Sequence, residues 1–255
     1  MRFLFAHYYD ILPGSITQQD IINYICFIVK EHGVGREKCH QVAQSCSFYY
    51  KHVYPSPFIV PAAFYPRKTH KLPQVFTVEQ VQQLLSVITN PKHTMVVSLF
   101  YGTGLRMNEL RHLKLCDIDS KNYQVKVVMA KGGKQRFTIL PKHLLGPLRQ
   151  YYINHRPKVY LFEGQRKGAP MHERSIQHFL QTYIAKIGLG GQDYSAHTLR
   201  HSFATHLLDA GTDLHTIKEL LGHSNLGTTM VYLHLQTTRR AAIVSPFDAI
   251  IQQQA

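Results

Sequence analysis

The stretch AHTLRHSFATHLLDAGTDLHTIKELLGHSNLGTTMVYLH, Ala196 to His234, carries six histidines, one arginine and one tyrosine. Arg200 follows His197 by three residues, so the two side chains are expected on one face of a helix. Gly222 is predicted to end a later helix, which places His223 at a junction where a side chain can reach a ligand. Either these rings are scattered over the surface, or several of them converge on an anion.

A metal site is one alternative for His197 and His201, whose spacing suits two zinc ligands on a helix. The pattern lacks the glutamate that serves as general base in zinc hydrolases, and Arg200 would place a cation beside the metal. The four cysteines form no CxxC pair: they are Cys26, Cys39, Cys46 and Cys116. We therefore favour an anion site without metal, and expect the cysteines to be packing residues in a reducing compartment.

The charge balance indicates a polyanionic partner. Lysine and arginine number 29 against 15 acidic residues, giving a net charge of +14 over 255 residues. Nucleic acid is the first candidate and an acidic membrane surface the second. No apolar run approaches the roughly 18–20 residues that span a bilayer, and the first residues lack a signal-peptide cleavage site. We expect a protein of the cytoplasm that is associated with the nucleoid of a bacterium.

The first part of the chain predicts two helices and a linker. Thr17 with Asp20 opens one helix, which Gly33 ends, and a second runs from about Arg36 to Tyr54. Prolines then recur from Pro55 to Pro73, a pattern that excludes regular helix and predicts an extended linker. Its basic residues are candidates for contacts with a phosphate backbone: Arg67, Lys68, His70 and Lys71.

A larger helical unit follows. Thr77 with Gln80 predicts a capping box, and a buried helix is expected to break at Gly102 and Gly104 before a short helix from about Arg106. The segment YQVKVVMAKGGKQRFTIL alternates in polarity and predicts a β-hairpin that turns at KGGK. Further helices are expected near Leu144, Ser175 and Thr198, and near Thr228 and Thr229, which would cap the helix carrying Tyr232.

Four segments, TGLRMNEL, AKGGKQR, HTLRHSFATHLL and ELLGHSNLGTTMVYLH, resemble in order and spacing the motifs of the tyrosine recombinases, or phage integrase family. The resemblance covers about Lys71 to the C-terminus and, more faintly, Ser15 to Tyr54. It implies a mainly α fold with a small antiparallel β-sheet. Residues 1–66 would form a partial helical core-DNA-binding domain (SAM-like, resembling the second half of the family's domain) with its linker, and residues 71–255 a tyrosine recombinase catalytic domain with a C-terminal tail helix.

The resemblance also implies a reaction. Such enzymes cleave and rejoin DNA strands through a 3′-phosphotyrosyl intermediate, which keeps the energy of the phosphodiester bond, so neither ATP nor a metal nor another cofactor is needed. Arg106 and Arg200 match the family arginines, and guanidinium groups suit the non-bridging phosphate oxygens. Tyr232 matches the nucleophile, which needs proton removal and nearby positive charge because a free tyrosine has a pKa near 10.

The remaining matches assist this reaction. His197 corresponds to the residue that helps proton movement, and His223 to the one that hydrogen-bonds the scissile phosphate. Lys131 corresponds to the lysine that protonates the leaving 5′-oxygen, with Lys134 as a rival for this role and a further DNA-binding candidate. Glu109 lies one turn after Arg106 and is expected to hold its guanidinium. The other histidines are expected to be structural or exposed: His201 and His206 buried with partners, His215 and His234 at the surface.

Double-stranded DNA recombination sites are the implied partner, bound by a homo-tetramer. An apolar tail with Phe247, Ile250 and Ile251 would dock into a neighbouring protomer or, alternatively, onto its own domain. The linker resembles integron and chromosome-dimer-resolving enzymes, although the insertion of true integron integrases is absent, and a mobile element is the expected context. Two other hypotheses remain: a DNA-binding remnant, favoured by the shortened N-terminal domain, and a type IB topoisomerase.

Overall fold

The computed structural model describes residues 1–54, 65–66, 73–128 and 135–235, with only the backbone at His234. The chain divides into two compact units, Met1–Lys71 and Leu72–Ala255. It is mainly helical with a three-stranded antiparallel sheet, which confirms the predicted fold class. Within the described ranges, every helix is too short or too polar to cross a lipid bilayer.

The first unit contains helices α1 (Arg2–His7), α2 (Gln18–His32) and α3 (Arg36–His52). The predicted start of α2 is confirmed and takes the form of a capping box, since the Thr17 hydroxyl accepts from the Asp20 N–H and the Asp20 carboxylate accepts from the Thr17 N–H. Gly33 ends α2 in the left-handed conformation. Cys39 and Cys46 lie in the apolar core between α2 and α3, as expected of packing residues, but the expectation was wrong for Cys26 and Cys116, which are exposed.

The second unit holds the remaining helices: α4 (Val78–Ser86), α5 (Pro91–Thr103), α6 (Met107–Arg111), α7 (Leu145–His155), α8 (Glu173–Lys186), α9 (Ala196–Asp209), α10 (Leu214–Leu221) and α11 (Gly227–Met230). Thr77 and Gln80 form the predicted capping box at the start of α4. Helix α5 is central to the core, because Val97 and Leu99, which are two residues apart and so point to nearly opposite sides of a helix, are both fully buried.

Three expected boundaries were wrong. Helix α5 continues through Gly102, whose missing side chain allows Pro141 to approach: a Cβ there would lie 2.7 Å from the Pro141 ring. Thr228 and Thr229 do not cap a helix but lie inside α11. Tyr232 follows in a 3₁₀ helix, Val231–Leu235, the tighter kind of helix that is frequent at the ends of α-helices.

The sheet consists of β1 (Ile118–Asp119), β2 (Gln124–Val128) and β3 (Gln135–Ile139), in that order. Val125 pairs with Thr138 and Val127 with Arg136. Because paired residues share a face, the buried side of β3 carries Arg136 and Thr138, whereas Phe137 is half exposed. The apolar residues of β3 therefore face outward, unlike Val125 and Val127 of β2.

Candidate active site

Three arginines meet at the C-terminal end of α10. Arg136 Nε, Arg200 Nη2 and Arg106 Nη2 donate to the carbonyl oxygens of Leu220, Leu221 and Gly222 at 2.9, 2.6 and 3.1 Å, respectively. Carbonyls in the last turn of a helix lack intrahelical partners and carry partial negative charge. The end of α10 therefore binds three guanidinium groups through three successive carbonyl groups.

Two glycines make this convergence possible. Gly222 ends α10 with a φ of +63°, and a Cβ at this position would lie 2.7 Å from Arg136 Cδ. Gly104 ends α5 with the same φ, and a Cβ there would lie 2.4 Å from the Phe203 ring. The carbonyl of Gly104 accepts a hydrogen bond from Arg200 Nη1. Both positions need left-handed backbone and the absence of a side chain.

Glu109 links the arginines. Its Oε1 accepts from Arg106 Nη1 at 2.9 Å and from Arg136 Nη1 at 2.7 Å, and its Oε2 accepts from Arg136 Nη2 at 2.8 Å. Arg200 Nη1 lies 3.9 Å from Oε2. Burial by itself would raise the pKa of Glu109, but hydrogen bonds from Arg136 and from the Arg106 backbone outweigh it and lower the pKa to about 2. These three cations and one anion leave a net positive charge of two.

The arginines differ in access to solvent. The side chain of Arg106, at the N-cap of α6, is 33% exposed, whereas that of Arg200 is 5% exposed. Burial, and then the neighbouring charge of Arg106, lowers the pKa of Arg200 to about 10, so it stays protonated at neutral pH. An anion can therefore reach Arg106 directly, while Arg200, near the same Glu109 carboxylate, adds its charge from a buried position.

His223 lies directly after Gly222 and is partly buried. A hydrogen bond of 3.0 Å joins its Nδ1 to the hydroxyl of Thr229 in α11. Burial, followed by the charges of Arg200 and Arg106, lowers the pKa of His223 to about 4. At neutral pH the ring is therefore uncharged, and it can act as a hydrogen-bonding group whose orientation Thr229 sets.

Tyr232 is enclosed, with 1% of its surface exposed. A hydrogen bond of 3.0 Å joins its hydroxyl to Nδ1 of His201 in α9. Burial raises the pKa of Tyr232, while Arg200 and Arg106 act in the opposite direction. Burial, and then the proximity of His197, lowers the pKa of His201 to about 4. At neutral pH this is a bond between a neutral phenol and a neutral imidazole.

The predicted site residues fall into three groups. One group lies together at the end of α10 and consists of Arg106, Glu109, Arg200 and His223. Tyr232 lies close enough to these arginines for their charge to affect its pKa. His197 lies exposed in the first turn of α9. The basic candidates of the linker and hairpin turn lie outside the described residues: Arg67, Lys68, Lys71, Lys131 and Lys134.

Sequence reasoning missed Arg136 and Thr229 and did not foresee the partner of His201. The alternation of β3 pointed the other way, because it predicts Phe137 and Ile139 on the buried face and leaves Arg136 on the exposed one. His206 has the expected kind of partner, the Tyr101 hydroxyl at 2.9 Å from its Nδ1. His215 is exposed, as expected, and the side chain of His234 is not described.

Comparison with known proteins defines the family. Residues 74–239 match the phage integrase family. Over 248 residues the chain is 31% identical to tyrosine recombinase XerC of Staphylococcus saprophyticus, covering 91% of this chain and 81% of that protein. Over 172 residues it is 40% identical to tyrosine recombinase XerA of Thermococcus kodakarensis, covering 66% of this chain and 60% of that protein.

A solved structure shares the fold. The XerH site-specific recombinase, bound to a palindromic difH substrate after cleavage, matches 89% of this chain and 72% of its own with a TM-score of 0.72 at 22% identity. The chain belongs to the phage integrase family, the tyrosine recombinases. It is a site-specific recombinase, and its partner is DNA.

Proposed function

We propose that Tyr232 is the nucleophile of strand cleavage. Its phenolic oxygen forms a bond to phosphorus of a DNA phosphodiester, the bond from phosphorus to the 5′-oxygen breaks, and a 3′-phosphotyrosyl linkage results. The tyrosine proton is removed and the 5′-oxygen takes up a proton; attack by a free 5′-hydroxyl then reverses the step on a new strand. The observation that carries this proposal is the hydrogen bond between the Tyr232 hydroxyl and His201, the residue after Arg200 in α9, which keeps the phenol beside the arginine cluster.

Arg106 and Arg200 bind the non-bridging oxygens in this proposal. Charge builds up on these oxygens in the transition state, and guanidinium groups that are already oriented stabilise it without further rearrangement. Their bonds to Glu109 and to the end of α10 support this role, because they hold both groups before DNA arrives. His223, uncharged at neutral pH, adds a hydrogen bond to the same phosphate.

Proton transfer needs a base near the phenol and an acid near the leaving oxygen. We assign His197 to the first task, supported by its exposed position in α9, about one helical turn before Arg200 and His201. Lys131 is assigned to the second, because an ammonium group can give up a proton where a guanidinium cannot. Lys134 is the alternative acid, and both assignments rest on sequence.

Cleavage in this proposal requires Tyr232 to leave its enclosed position. Because only 1% of the surface of Tyr232 is exposed, its hydroxyl oxygen cannot reach a phosphate of bound DNA from this position. The 3₁₀ helix that carries it is the last described segment before residues 236–255, so movement of the tail would move the nucleophile. Docking of that tail into a neighbouring protomer would then couple assembly of a homo-tetramer to exposure of Tyr232.

The rest of the proposal concerns DNA binding and context. Residues 1–66 act as a partial core-DNA-binding domain and residues 71–255 as the catalytic domain, with Arg67, Lys68 and Lys71 along the phosphate backbone. The net charge of +14 supports such binding. The enzyme acts at recombination sites in the nucleoid and recombines the DNA of a mobile element.

A suicide substrate tests the nucleophile. DNA segments that flank the gene are nicked near candidate crossover sites, incubated with protein in the presence of a chelator, and resolved on a denaturing gel. Wild type is expected to form a covalent protein–DNA adduct, and Tyr232→Phe none. Tyr101→Phe is the matched control, since it removes another tyrosine–histidine hydrogen bond of the same unit, and it should react like wild type.

Other outcomes would favour other functions. If wild type forms no adduct on DNA that it binds, the DNA-binding remnant is supported and the recombinase mechanism is refuted. If supercoiled DNA is relaxed without joining of partner strands, the type IB topoisomerase is supported. An adduct that persists in Tyr232→Phe would place the nucleophile elsewhere.

A further inference from the structure

We propose that Arg136 is a positioning residue for strand cleavage: by holding Glu109 and the end of α10, it fixes the directions of Arg106 and Arg200. This inference rests on the proposed function, since it concerns the same phosphate site. Arg136 does not touch the DNA in this proposal. It acts through the groups that do.

All three guanidinium nitrogens of Arg136 are engaged. Nη1 and Nη2 bind the two oxygens of Glu109 at 2.7 and 2.8 Å, and Nε binds the carbonyl of Leu220 at 2.9 Å. Parallel bonds between a guanidinium and a carboxylate fix orientation as well as distance. A lysine would keep the charge but could not reproduce this planar fork.

The position of Arg136 makes it a fixed support. It lies on the buried face of β3 opposite Val127, with 9% of its side chain exposed. Its aliphatic part passes directly beneath Gly222, where no Cβ would fit. A buried ion pair contributes little net stability compared with apolar packing of the same volume, although removing only one of its partners is strongly destabilising. The specific consequence of this one is geometric: it ties a strand, the start of α6 and the end of α10 to one carboxylate.

Arg136 also determines which of the other two arginines the Glu109 carboxylate contacts. One edge of the carboxylate is occupied by Arg136, which leaves Glu109 facing the Arg106 backbone N–H and Nη1. Without Arg136, the carboxylate would be free to turn toward Arg200, now 3.9 Å away. The carboxylate would then neutralise the charge of Arg200, which binds the phosphate in this proposal, and would change the orientation of Arg106. Errors of about 1 Å in such positions cost about 100-fold in rate.

Arg136→Lys, with Arg111→Lys as matched control, tests this. Arg111 is also largely buried, donating to the Met171 carbonyl at 2.7 Å and lying 3.7 Å from Glu173, but it does not contact Glu109. We expect Arg136→Lys to lower the single-turnover cleavage rate at saturating protein about 10- to 100-fold. Half-saturation of DNA binding and thermal unfolding should stay close to those of Arg111→Lys, whose cleavage rate should stay within about threefold of wild type.

Two further measurements separate positioning from a general structural effect. Added methylguanidinium should partly restore cleavage by Arg136→Ala, because it can occupy the vacated site. In an Arg106→Lys background, Arg136→Lys should cost less than it does in wild type, because its effect passes through Arg106.

The outcomes distinguish this inference from the one on which it rests. If wild type forms a Tyr232-dependent adduct and Arg136→Lys cleaves at the wild-type rate, only the role of Arg136 is refuted. Equal losses in Arg136→Lys and Arg111→Lys, or additive effects with Arg106→Lys, would also refute it. If wild type itself forms no adduct, the proposed cleavage fails and the role of Arg136 with it.

Discussion

Replacing Glu109 by glutamine should destabilise the larger unit strongly, because glutamine imitates the protonated acid. The pKa of Glu109 falls from an ordinary 4.5 to about 2 in the folded protein. At about 1.4 kcal/mol per pKa unit, its ionised form therefore contributes roughly 3 kcal/mol to the free energy of unfolding at neutral pH. The side chain is only 10% exposed, so solvent screening reduces this value little.

The pH dependence gives the prediction its sign. Since the folded pKa is depressed, the contribution of Glu109 is fully present above about pH 4.5 and is lost as the pH falls toward 2. The difference in unfolding free energy between wild type and Glu109→Gln should be constant from pH 8 to pH 5. It should begin to narrow below about pH 4.5.

Urea unfolding followed by circular dichroism measures this difference. Glu173→Gln is the control, because Glu173 also faces an arginine, at 3.7 Å, but its side chain is 46% exposed. Such an exposed pair contributes about 0–1 kcal/mol. The reasoning would be refuted if Glu109→Gln unfolded within about 0.5 kcal/mol of wild type at pH 7, or if the two glutamine variants lost equal stability.

Three other predictions follow from the same site. Gly222→Ala should destabilise the protein by about 1–3 kcal/mol and slow cleavage, because a Cβ would lie 2.7 Å from Arg136 and the backbone φ is +63°. The control Gly188→Ala is also at positive φ but has no neighbour within 4 Å, so it should leave cleavage unchanged. The pKa values of His201 and His223 are lowered to about 4, so the free energy of unfolding should fall as the pH drops from 6.5 toward 4. In urea titrations at several pH values, His201→Gln should make this dependence on pH less steep. An unchanged dependence would contradict the burial of the His201 ring. Thr229→Val should lower the cleavage rate about tenfold, because His223 loses its hydrogen-bond partner at 3.0 Å, and should not weaken DNA binding in a mobility-shift assay. An equal fall in DNA binding would argue against the role of Thr229 in orienting His223.

The helices could be predicted where their ends carry local chemistry. Thr17 with Asp20 and Thr77 with Gln80 form capping boxes, and Gly33, Gly104 and Gly222 end helices in left-handed conformation. These signals depend on residues within one turn of each other, so the sequence contains them fully. Gly102 misled because the same residue type also serves close packing, here against Pro141, which only the tertiary structure reveals.

The site was predictable only in part, for a related reason. The pair Arg106 and Glu109 lies within one helical turn and follows from sequence spacing. Arg136 reaches Glu109 across 27 residues and Leu220 across 84, and no local pattern encodes such distances. The bond between His201 and Tyr232 joins two helical segments 31 residues apart. What sequence reasoning missed are the contacts that the tertiary fold creates.

The arrangement at the end of α10 separates the gathering of charge from the binding of DNA. Like charges repel, so a site that brought its arginines together only when phosphate arrived would spend part of the binding free energy on that step. Here Glu109 and three successive carbonyls already hold the guanidinium groups in the folded chain. The proposed nucleophile is in the opposite state, since Tyr232 is enclosed and hydrogen-bonded to His201. A positive site that is already formed and a proposed nucleophile that is still enclosed together allow DNA to be bound before it can be cut, as the proposed assembly of protomers on a recombination site would require.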